Sequence, residues 1–336
     1  MTILGIETSC DETSAAVVRD GVLLSNVTAL QPVHAEHGGV VPELASRAHQ
    51  RLIVPVVDEA LRRAGVQKSD LNAVGAVYGP GLIGSLLVGL SFGKAAAMGL
   101  NVPFVGVNHM EAHMFSNMIA DPKPAFPFVN LTVSGGHTQL VLVKDHFIYD
   151  VLGDTIDDAA GEAFDKVAKM LGIGYPGGPL VDKLAARGNP KAVDFPRPNL
   201  GNDSLAFSFS GLKTAVLYYL RKAGFNKDGV RDERFIADVC ASFQTAVVDV
   251  LIGKLMLAAK RFNVKDIAVA GGVSANSELR RRLETETKIR HLRLFIPKME
   301  FCTDNGAMVA AAGFERARRG YSSSLELTAE PNLSLS

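Results

Sequence analysis

The 336-residue sequence has no tryptophan, and its three cysteines, Cys10, Cys240 and Cys302, form no CxxC pair. An odd number of cysteines at such spacing excludes a disulfide framework and suits a reducing compartment. No excess of charge is present either, because 35 Lys and Arg balance 35 Asp and Glu. Zero formal charge argues against a general nucleic-acid binder with a strongly basic surface, but it leaves a local basic patch open.

Targeting and membrane signals are also missing. The first residues lack the basic stretch and the long apolar run of a signal peptide. Longer apolar runs are broken by glycine, serine or charge before they reach the length of a membrane span. We therefore expect a cytoplasmic protein that has no membrane partner.

Two common nucleotide motifs are absent. Gly93-Lys94 is followed by Ala95, so it is not a Walker A sequence, and no GxGxxG follows the first strand. Three turns after apolar strands are instead rich in small residues, which let backbone N–H groups approach phosphate oxygens. They are Thr8-Ser9 with Asp11, Ser134-Gly135-Gly136 and Gly271–Ser274. One such turn could be mere chain reversal, but three favour a nucleotide site between two lobes.

The order of predicted elements repeats. Residues 2–28 predict a strand, a polar turn, a strand, a hairpin and a strand, and residues 128–152 predict the same series. Helices are predicted at 42–63, 86–100, 109–119, 157–171, 210–222, 233–262, 274–286 and 303–318. Residues 33–40 and 172–179 are interpreted as loops, and 321–336 as a loose tail. This pattern, at a length typical of about two domains, indicates an α/β fold with two similar lobes.

The stretch HMEAH at 109–113 offers metal chemistry. His109 and His113 are four residues apart, on one face of the predicted helix, where two imidazoles can bind one metal ion. The alternative is a pair of histidines that donate to carbonyls or face water. A zinc peptidase is disfavoured because its HExxH motif needs Glu directly after the first His. Here that residue is Met110, and Glu111 is rotated about 200° around the helix from His109.

Several segments together resemble one family. They are GIETSCDET (5–13), HGGVVPELASR (37–47), HMEAH (109–113), VSGGHTQ (133–139), DDAAGEAFD (157–165), YPGGP (175–179), FSFSGLK (207–213), AGGVSAN (270–276) and FCTDNG (301–306). All resemble the tRNA threonylcarbamoyladenosine transferase family (bacterial TsaD), in register from residue 3 to about 318.

The resemblance implies a two-lobed actin-like ATPase (ASKHA) fold with an interlobe cleft. Lobe I is expected at 1–106 plus 303–325, lobe II at 107–302 and a tail at 326–336. The implied activity transfers threonylcarbamoyl from threonylcarbamoyl-AMP to the exocyclic amine of the adenosine adjacent to the anticodon, in tRNAs reading A-starting codons. Implied partners are tRNA, a paralogous TsaB-type subunit and a TsaE-type ATPase.

The resemblance also assigns residues. His109, His113 and Asp304 become ligands of one divalent metal, iron or zinc. It implies that the phosphate and carbonyl groups of the adenylate are contacted by Thr132, Val133, Ser134, Gly135 and Gly136. It implies that the ribose and adenine are held by Asp165, Gly178, Asp182 and Asn276. Magnesium is expected to accompany ATP where ATP binds. Asp11 and Glu12 are candidate catalytic residues near the phosphates or the acceptor.

Other interpretations of these residues remain open. Asp304 could only cap a helix, Asp165 could face solvent, and His34 and His137 could be turn residues. Cys10 is interpreted as a small residue near the ligand, not as a nucleophile. A non-catalytic nucleotide-binding scaffold of the same fold is the second rival. Basic clusters at 260–261, 280–282 and 316–319 form either solvated helix faces or one rim of a tRNA groove.

Overall fold

The computed structural model describes residues 1–198, 200–201, 203–226 and 232–335. The chain divides into two compact units, Met1–Lys123 with Pro297–Ser336, and Pro124–Ile296. We call them unit 1 and unit 2 and describe each separately.

Unit 1 is built on a five-stranded mixed sheet of order β3-β2-β1-β4-β5. β1 pairs antiparallel with β2 and parallel with β4. The strands are β1 (Thr2–Glu7), β2 (Thr13–Arg19), β3 (Val22–Ala29), β4 (Ala73–Gly79) and β5 (Phe104–Asn108). The helices are α1 (Val33–His37), α2 (Pro42–Ala64), α3 (Ile83–Leu100), α4 (His109–Phe115) and, late in the chain, α10 (Gly306–Arg318).

The central strand β1 is buried along its whole length, as its apolar sequence predicts. One face carries Leu4 and Ile6 into a core beneath α2 and α3, while Ile3 packs with α10 on the other face. α10 lies close to β1 because Gly5 has no side chain: a Cβ there would be 2.3 Å from the Ala310 nitrogen. The sheet therefore packs closely against α10 along the middle of β1.

Unit 2 is built on a second five-stranded sheet, of order β10-β9-β6-β7-β8. Its strands are β6 (Phe128–Val133), β7 (Thr138–Asp145), β8 (Ile148–Asp154), β9 (Asp266–Ala270) and β10 (Arg293–Phe295). Its helices are α5 (Ala160–Leu171), α6 (Gly177–Ala185), α7 (Ser210–Lys222), α8 (Glu233–Arg261) and α9 (Ser277–Arg290). The mostly buried α8 packs in the core under one face of this sheet.

The predicted repeat is confirmed. In each unit an antiparallel three-stranded meander is extended by two parallel strands, so the two sheets have the same topology. Two predicted loops instead contain helices, since α1 begins at Val33 and α6 begins at Gly177. α6 forms in a glycine-rich segment because the carboxylate of Asp165 accepts the backbone N–H of Gly177 at 2.7 Å.

The unit boundaries differ from the expected lobe boundaries at 106/107 and 302/303. Residues 107–123 and 297–302 belong to unit 1. The physical reason is packing: Phe301 is buried in the same core as Ile3 and Phe314, and α4 is joined to α10 by the ion pair of Glu111 and Arg316. The segment expected in lobe II therefore contributes to the core of unit 1.

The C-terminal segment 321–335 is not loose, contrary to expectation. Its backbone contacts the start of β5 and then the end of the parallel strand β4: the backbone N–H of Ser323 donates to the Phe104 carbonyl at 2.8 Å, and that of Glu330 donates to the Tyr78 carbonyl at 2.8 Å. Lys94 donates to the carbonyls of Leu325 and Leu327 at 3.0 and 2.8 Å. We call this segment the C-terminal strap.

α3 and α8 are long and apolar enough to cross a membrane by length and composition alone. The apolar 18-residue stretch of α8 is 78% buried inside the fold, and the 18 residues of α3 are 33% buried. Core helices pass the same test, so these helices are weak evidence for a membrane span.

Candidate metal centre and nucleotide turns

The predicted helix at HMEAH is present as α4. It starts where β5 ends, because the Asn108 side chain accepts the backbone N–H of Met110 at 2.8 Å and so caps the first turn. His109 and His113 are buried on this helix, with 5% and 0% of their surface exposed.

Asp304 is presented by the loop before α10. The Asn305 side chain accepts from Met308 N at 3.0 Å, and Ser14 Oγ accepts from Gly306 N at 2.7 Å. These contacts satisfy donors at the helix start and fix the loop. The predicted helix at 303–318 instead starts at Gly306, and Asn305, not Asp304, is its cap.

The three predicted metal ligands converge. Nε2 of His113 lies 3.1 Å from Oδ1 of Asp304, and Nε2 of His109 lies 3.7 Å from the same oxygen. One ligand atom from each residue lies within 4.8 Å of the others. Residues distant in sequence thus form a compact candidate metal-binding triad.

The state of these side chains fits a metal ion. Neither ring nitrogen of His113 makes a hydrogen bond within the described part of the chain, so its approach to Asp304 is not a well-directed bond. Burial disfavours a charged His109, but the carboxylates of Asp304 and Glu7 outweigh burial and raise its pKa to about 9. A cation is therefore favoured here, and two imidazoles with one carboxylate suit a divalent transition metal.

The loop after β1 adds further carboxyl groups. Burial, followed by the charges of Asp304, Asp11 and Glu7, raises the pKa of Glu12 well above its usual value. Burial, reinforced by Asp11, also raises the pKa of the Cys10 thiol. A thiol with a raised pKa is a poor nucleophile, which supports the interpretation of Cys10 as a small residue in this loop.

Glu111 has a structural partner. Its carboxylate is 2.7 Å from the guanidinium of Arg316, and 5% of its side chain is exposed. A peptidase of the HExxH type needs a glutamate that poises water at the metal. Since Glu111 is held by α10, the geometry argues against that rival.

Two of the predicted phosphate-binding turns lie side by side in unit 2. β6 and β9 are parallel neighbours, with Thr132 opposite Ala270, so the turns that follow them share one edge of the sheet. Gly271, at φ 86°, brings its Cα so close to β6 that a Cβ would be 2.4 Å from the Val133 oxygen. The turn after β6 is closed by a hydrogen bond from the backbone N–H of His137 to Ser134 Oγ at 3.1 Å. Gly135 and Gly136, between these two residues, are largely exposed.

The predicted ribose and adenine residues of the same unit lie at the starts of α6 and α9 or contact them: Gly178 and Asn276 lie at these starts, whereas Asp165 and Asp182 lie within α5 and α6. Asp182 accepts from the Ser277 hydroxyl at 2.7 Å, and Asn276 caps α9 by accepting from Leu279 N at 3.0 Å. The carboxylate of Asp165 accepts a hydrogen bond from the backbone N–H of Gly177, the residue before Gly178, so Asp165 does not face only solvent. The structure thus joins Asp182 to the start of α9 and Asp165 to the start of α6.

The arginine clusters are engaged in internal contacts. Arg282 is 2.5 Å from Asp249, Arg281 is 2.8 Å from Glu278, and Arg280 donates to the Ser274 carbonyl at 2.7 Å. In α10, Arg318 and Arg319 pair with Glu315. These pairs favour structural roles, and replacing residues 280–282 together would damage the start of α9 and would not test RNA binding cleanly.

Glu7 was missed by the motif analysis. It ends β1 and is fully buried, and Oε2 of its carboxylate is 3.2 Å from Nδ1 of His109. The available signal was a single acidic residue at the end of an apolar strand. Nothing in the sequence linked it to HMEAH.

Solved structures with the same architecture define the fold class. HypF from T. kodakarensis is similar with a TM-score of 0.65 and 15% identity, over 97% of this chain and 49% of that chain. Component A of (R)-2-hydroxyglutaryl-CoA dehydratase from Acidaminococcus fermentans is similar with a TM-score of 0.54 and 16% identity, over 95% and 99% of the two chains. The chain is thus an α/β protein of the actin-like ATPase fold that carries a candidate metal centre.

Sequence comparison identifies the family. The TsaD family model, described as tRNA N6-adenosine threonylcarbamoyltransferase, matches residues 22–311. Proteins of that name from Salinibacter ruber and Christiangramia forsetii are 52% and 50% identical to this chain, covering 100% and 98% of it and 100% and 97% of their own lengths. The chain belongs to the tRNA N6-adenosine threonylcarbamoyltransferase family and is therefore a transferase.

Proposed function

We propose that this protein transfers the threonylcarbamoyl group of threonylcarbamoyl-AMP to the exocyclic amine of the adenosine adjacent to the anticodon. The substrates would be tRNAs that read A-starting codons. One observation carries the proposal: relatives 50–52% identical over nearly their full length are named as tRNA threonylcarbamoyltransferases.

His109, His113 and Asp304 would hold one iron or zinc ion per chain. When bound, this ion supplies a Lewis acid that can polarise a substrate oxygen. The support is the convergence of two buried imidazoles and one carboxylate within 4.8 Å. α4 orients the histidines, and the capped start of α10 orients the aspartate.

The turns of unit 2 would bind the adenylate. Thr132, Val133, Ser134, Gly135 and Gly136 would approach the phosphate and carbonyl groups. Asp165, Gly178, Asp182 and Asn276 would hold ribose and adenine, and magnesium would accompany ATP. The exposed, side-chain-free backbone at 135–136 supports this assignment, since N–H groups there can approach an anion closely.

The reaction forms a carbon–nitrogen bond between the adenosine amine and the carbamoyl carbon. The carbon–oxygen bond to the phosphate breaks, and AMP leaves with that electron pair. The amine must also lose a proton. Asp11 and Glu12 are the proposed acceptors, because both carboxyl groups lie in the loop after β1 and Glu12, whose pKa is raised by burial, is close enough to Asp304 for that charge to raise its pKa further. A carboxylate is an effective general base when its pKa lies near the working pH.

We further propose a cytoplasmic setting and two protein partners, a TsaB-type paralogue and a TsaE-type ATPase. Zero formal charge gives the chain alone little long-range attraction for a polyanion. Weak tRNA binding alone and stronger binding with a partner are therefore expected.

The test combines the protein with synthetic threonylcarbamoyl-AMP, unmodified tRNA and the candidate partners. Hydrolysed tRNA is then analysed for threonylcarbamoyladenosine by mass spectrometry. The matched control is tRNA with guanosine in place of the target adenosine, which should gain no modification. Continuous ATP turnover without tRNA, together with no modified nucleoside, would support the scaffold rival instead.

A further inference from the structure

Glu7 is buried in an unusual place for a carboxylate. It ends the apolar strand β1, and none of its surface is exposed. Oε1 accepts the backbone N–H of Ser9 in the following loop. Oε2 lies 3.2 Å from Nδ1 of His109. One oxygen thus serves the local turn, whereas the other contacts the first histidine of the candidate metal triad.

This contact decides which ring nitrogen of His109 is available. A carboxylate only accepts hydrogen bonds, so it favours a proton on Nδ1. In a neutral imidazole the lone pair then lies on Nε2. Nε2 is the nitrogen that faces Asp304, at 3.7 Å from Oδ1.

We propose that Glu7 is a positioning residue that holds His109 with Nδ1 protonated and Nε2 directed to the metal. A carboxylate behind a ligating imidazole is a recurrent arrangement that fixes ring orientation and increases ligand basicity. The Ser9 Oγ, 3.1 Å from the same Nδ1, is compatible with this state, because a hydroxyl can accept from a protonated ring nitrogen. The inference rests on the metal site proposed above.

Two details favour this role over a purely structural one. A turn needs only one acceptor for the Ser9 N–H, which either carboxylate oxygen or an amide oxygen could supply. The second oxygen of Glu7 instead faces the ring of His109, which is itself buried. Loss of the negative charge should therefore affect the metal more than the fold.

The first experiment measures zinc affinity by competition with a chromophoric chelator, for the parent and for Glu7→Gln. Glutamine keeps the shape but places an NH₂ group against one of the two donors. We expect zinc affinity to fall by about 10- to 100-fold while the circular dichroism spectrum stays unchanged. Glu43→Gln, which removes an exposed carboxylate on α2, should bind zinc as the parent does.

Unchanged zinc affinity in a folded Glu7→Gln variant would overturn the inference. A parent that binds no zinc would instead overturn the metal site itself. If Glu7→Gln does not fold, ¹¹³Cd-loaded, ¹⁵N-histidine-labelled parent protein decides the question. Coupling of cadmium to Nε2 of His109, with Nδ1 protonated, supports the inference, and coupling to Nδ1 contradicts it.

Discussion

Arg316 binds Glu111 through two nitrogens, one of which contacts both carboxylate oxygens. Nη2 of Arg316 lies 2.7 Å from Oε1 and 2.7 Å from Oε2, and Nε lies 3.2 Å from Oε2. Glu111 belongs to α4, between the two histidines, and Arg316 belongs to α10, which follows Asp304. The ion pair therefore ties α4, which carries both histidines of the candidate triad, to α10, which directly follows the loop that carries Asp304.

Removing one partner of this pair should be costly. Arg316→Met leaves the 5% exposed Glu111 carboxylate without its cation, and such losses cost about 3 kcal/mol. Urea unfolding would measure the change. The double variant Glu111→Leu/Arg316→Met removes both charges and should recover most of the lost stability. Additive losses in the double-mutant cycle would contradict a direct coupling.

Metal content gives the second prediction. We expect about one transition metal per chain in the parent and strong loss in His113→Ala, because two ligands hold a metal much less tightly than three. Elemental analysis of purified, chelator-rinsed protein is the measurement. His37→Ala, which alters an exposed histidine of α1, should retain the metal. Full occupancy in His109→Ala/His113→Ala would exclude this site.

The sequence predicted the repeated sheets because strands such as β1 and β6 are apolar runs bounded by turns, which is a local signal. It also predicted α4, where histidine spacing and helix periodicity agree. It could not predict the contact of Glu7 with His109 or the role of Asn305 as a cap. Those contacts depend on how β1, β5 and α10 meet, and no local pattern encodes that meeting.

The missed helix α6 and the C-terminal strap have the same cause. Glycine and proline disfavour helix locally, but Asp165, on another helix, accepts the N–H of Gly177 and stabilises the start of α6. The strap lies at the end of the chain, where poor order is common, and is therefore predicted to be loose. Its order comes from hydrogen bonds to strand ends and from Leu327 against the core of unit 1.

Leu327 gives the third prediction. It is half-buried and packs against the core beneath α2 and α3. Leu327→Ala should lower the free energy of unfolding by about 1–2 kcal/mol, less than the 2–5 kcal/mol of fully buried leucines. Leu325→Ala, at a residue that is 46% exposed, is the matched control. Equal effects of the two changes in urea unfolding would show that the strap does not contribute packing.

His49 gives a pH-dependent prediction. The ring is fully buried, with Nδ1 2.8 Å from the Thr13 hydroxyl and Nε2 2.9 Å from the Cys10 carbonyl oxygen. Burial lowers its pKa below the usual 6.5 despite the Cys10 hydrogen bond. On acidification the unfolded chain therefore protonates His49 before the folded chain does. The stability that neutral His49 contributes is complete above pH 6.5 and is lost as the pH falls toward the pKa of the folded state.

The measurement is the pH dependence of unfolding free energy in the parent and in His49→Gln. The parent should lose up to about 1.4 kcal/mol per pH unit more than the variant in that window. Above pH 7 the difference between the two proteins should stay constant. Parallel curves from pH 7 down to pH 5 would show that His49 does not cause acid sensitivity.

Gly135 gives the prediction for the nucleotide. A Cβ at this residue would meet no heavy atom within 4 Å, and its φ is not in the left-handed region. Gly135→Val should therefore fold normally. If backbone N–H groups of this turn contact phosphate directly, a branched side chain blocks that approach. We expect at least a tenfold loss of ADP affinity by calorimetry, about 1.4 kcal/mol.

Gly253→Val is the matched control, because Gly253 lies on an exposed position of α8 where a Cβ also meets nothing within 4 Å. It should leave ADP affinity within about twofold, since the helix only loses a flexible residue. The comparison separates a steric effect at the turn from a general effect of valine on unit 2.

Equal affinity in both variants and in the parent would place the phosphate elsewhere. Equal losses in both would indicate that valine disturbs unit 2 as a whole. A loss confined to Gly135→Val requires the phosphate to lie against the backbone of residues 134–136.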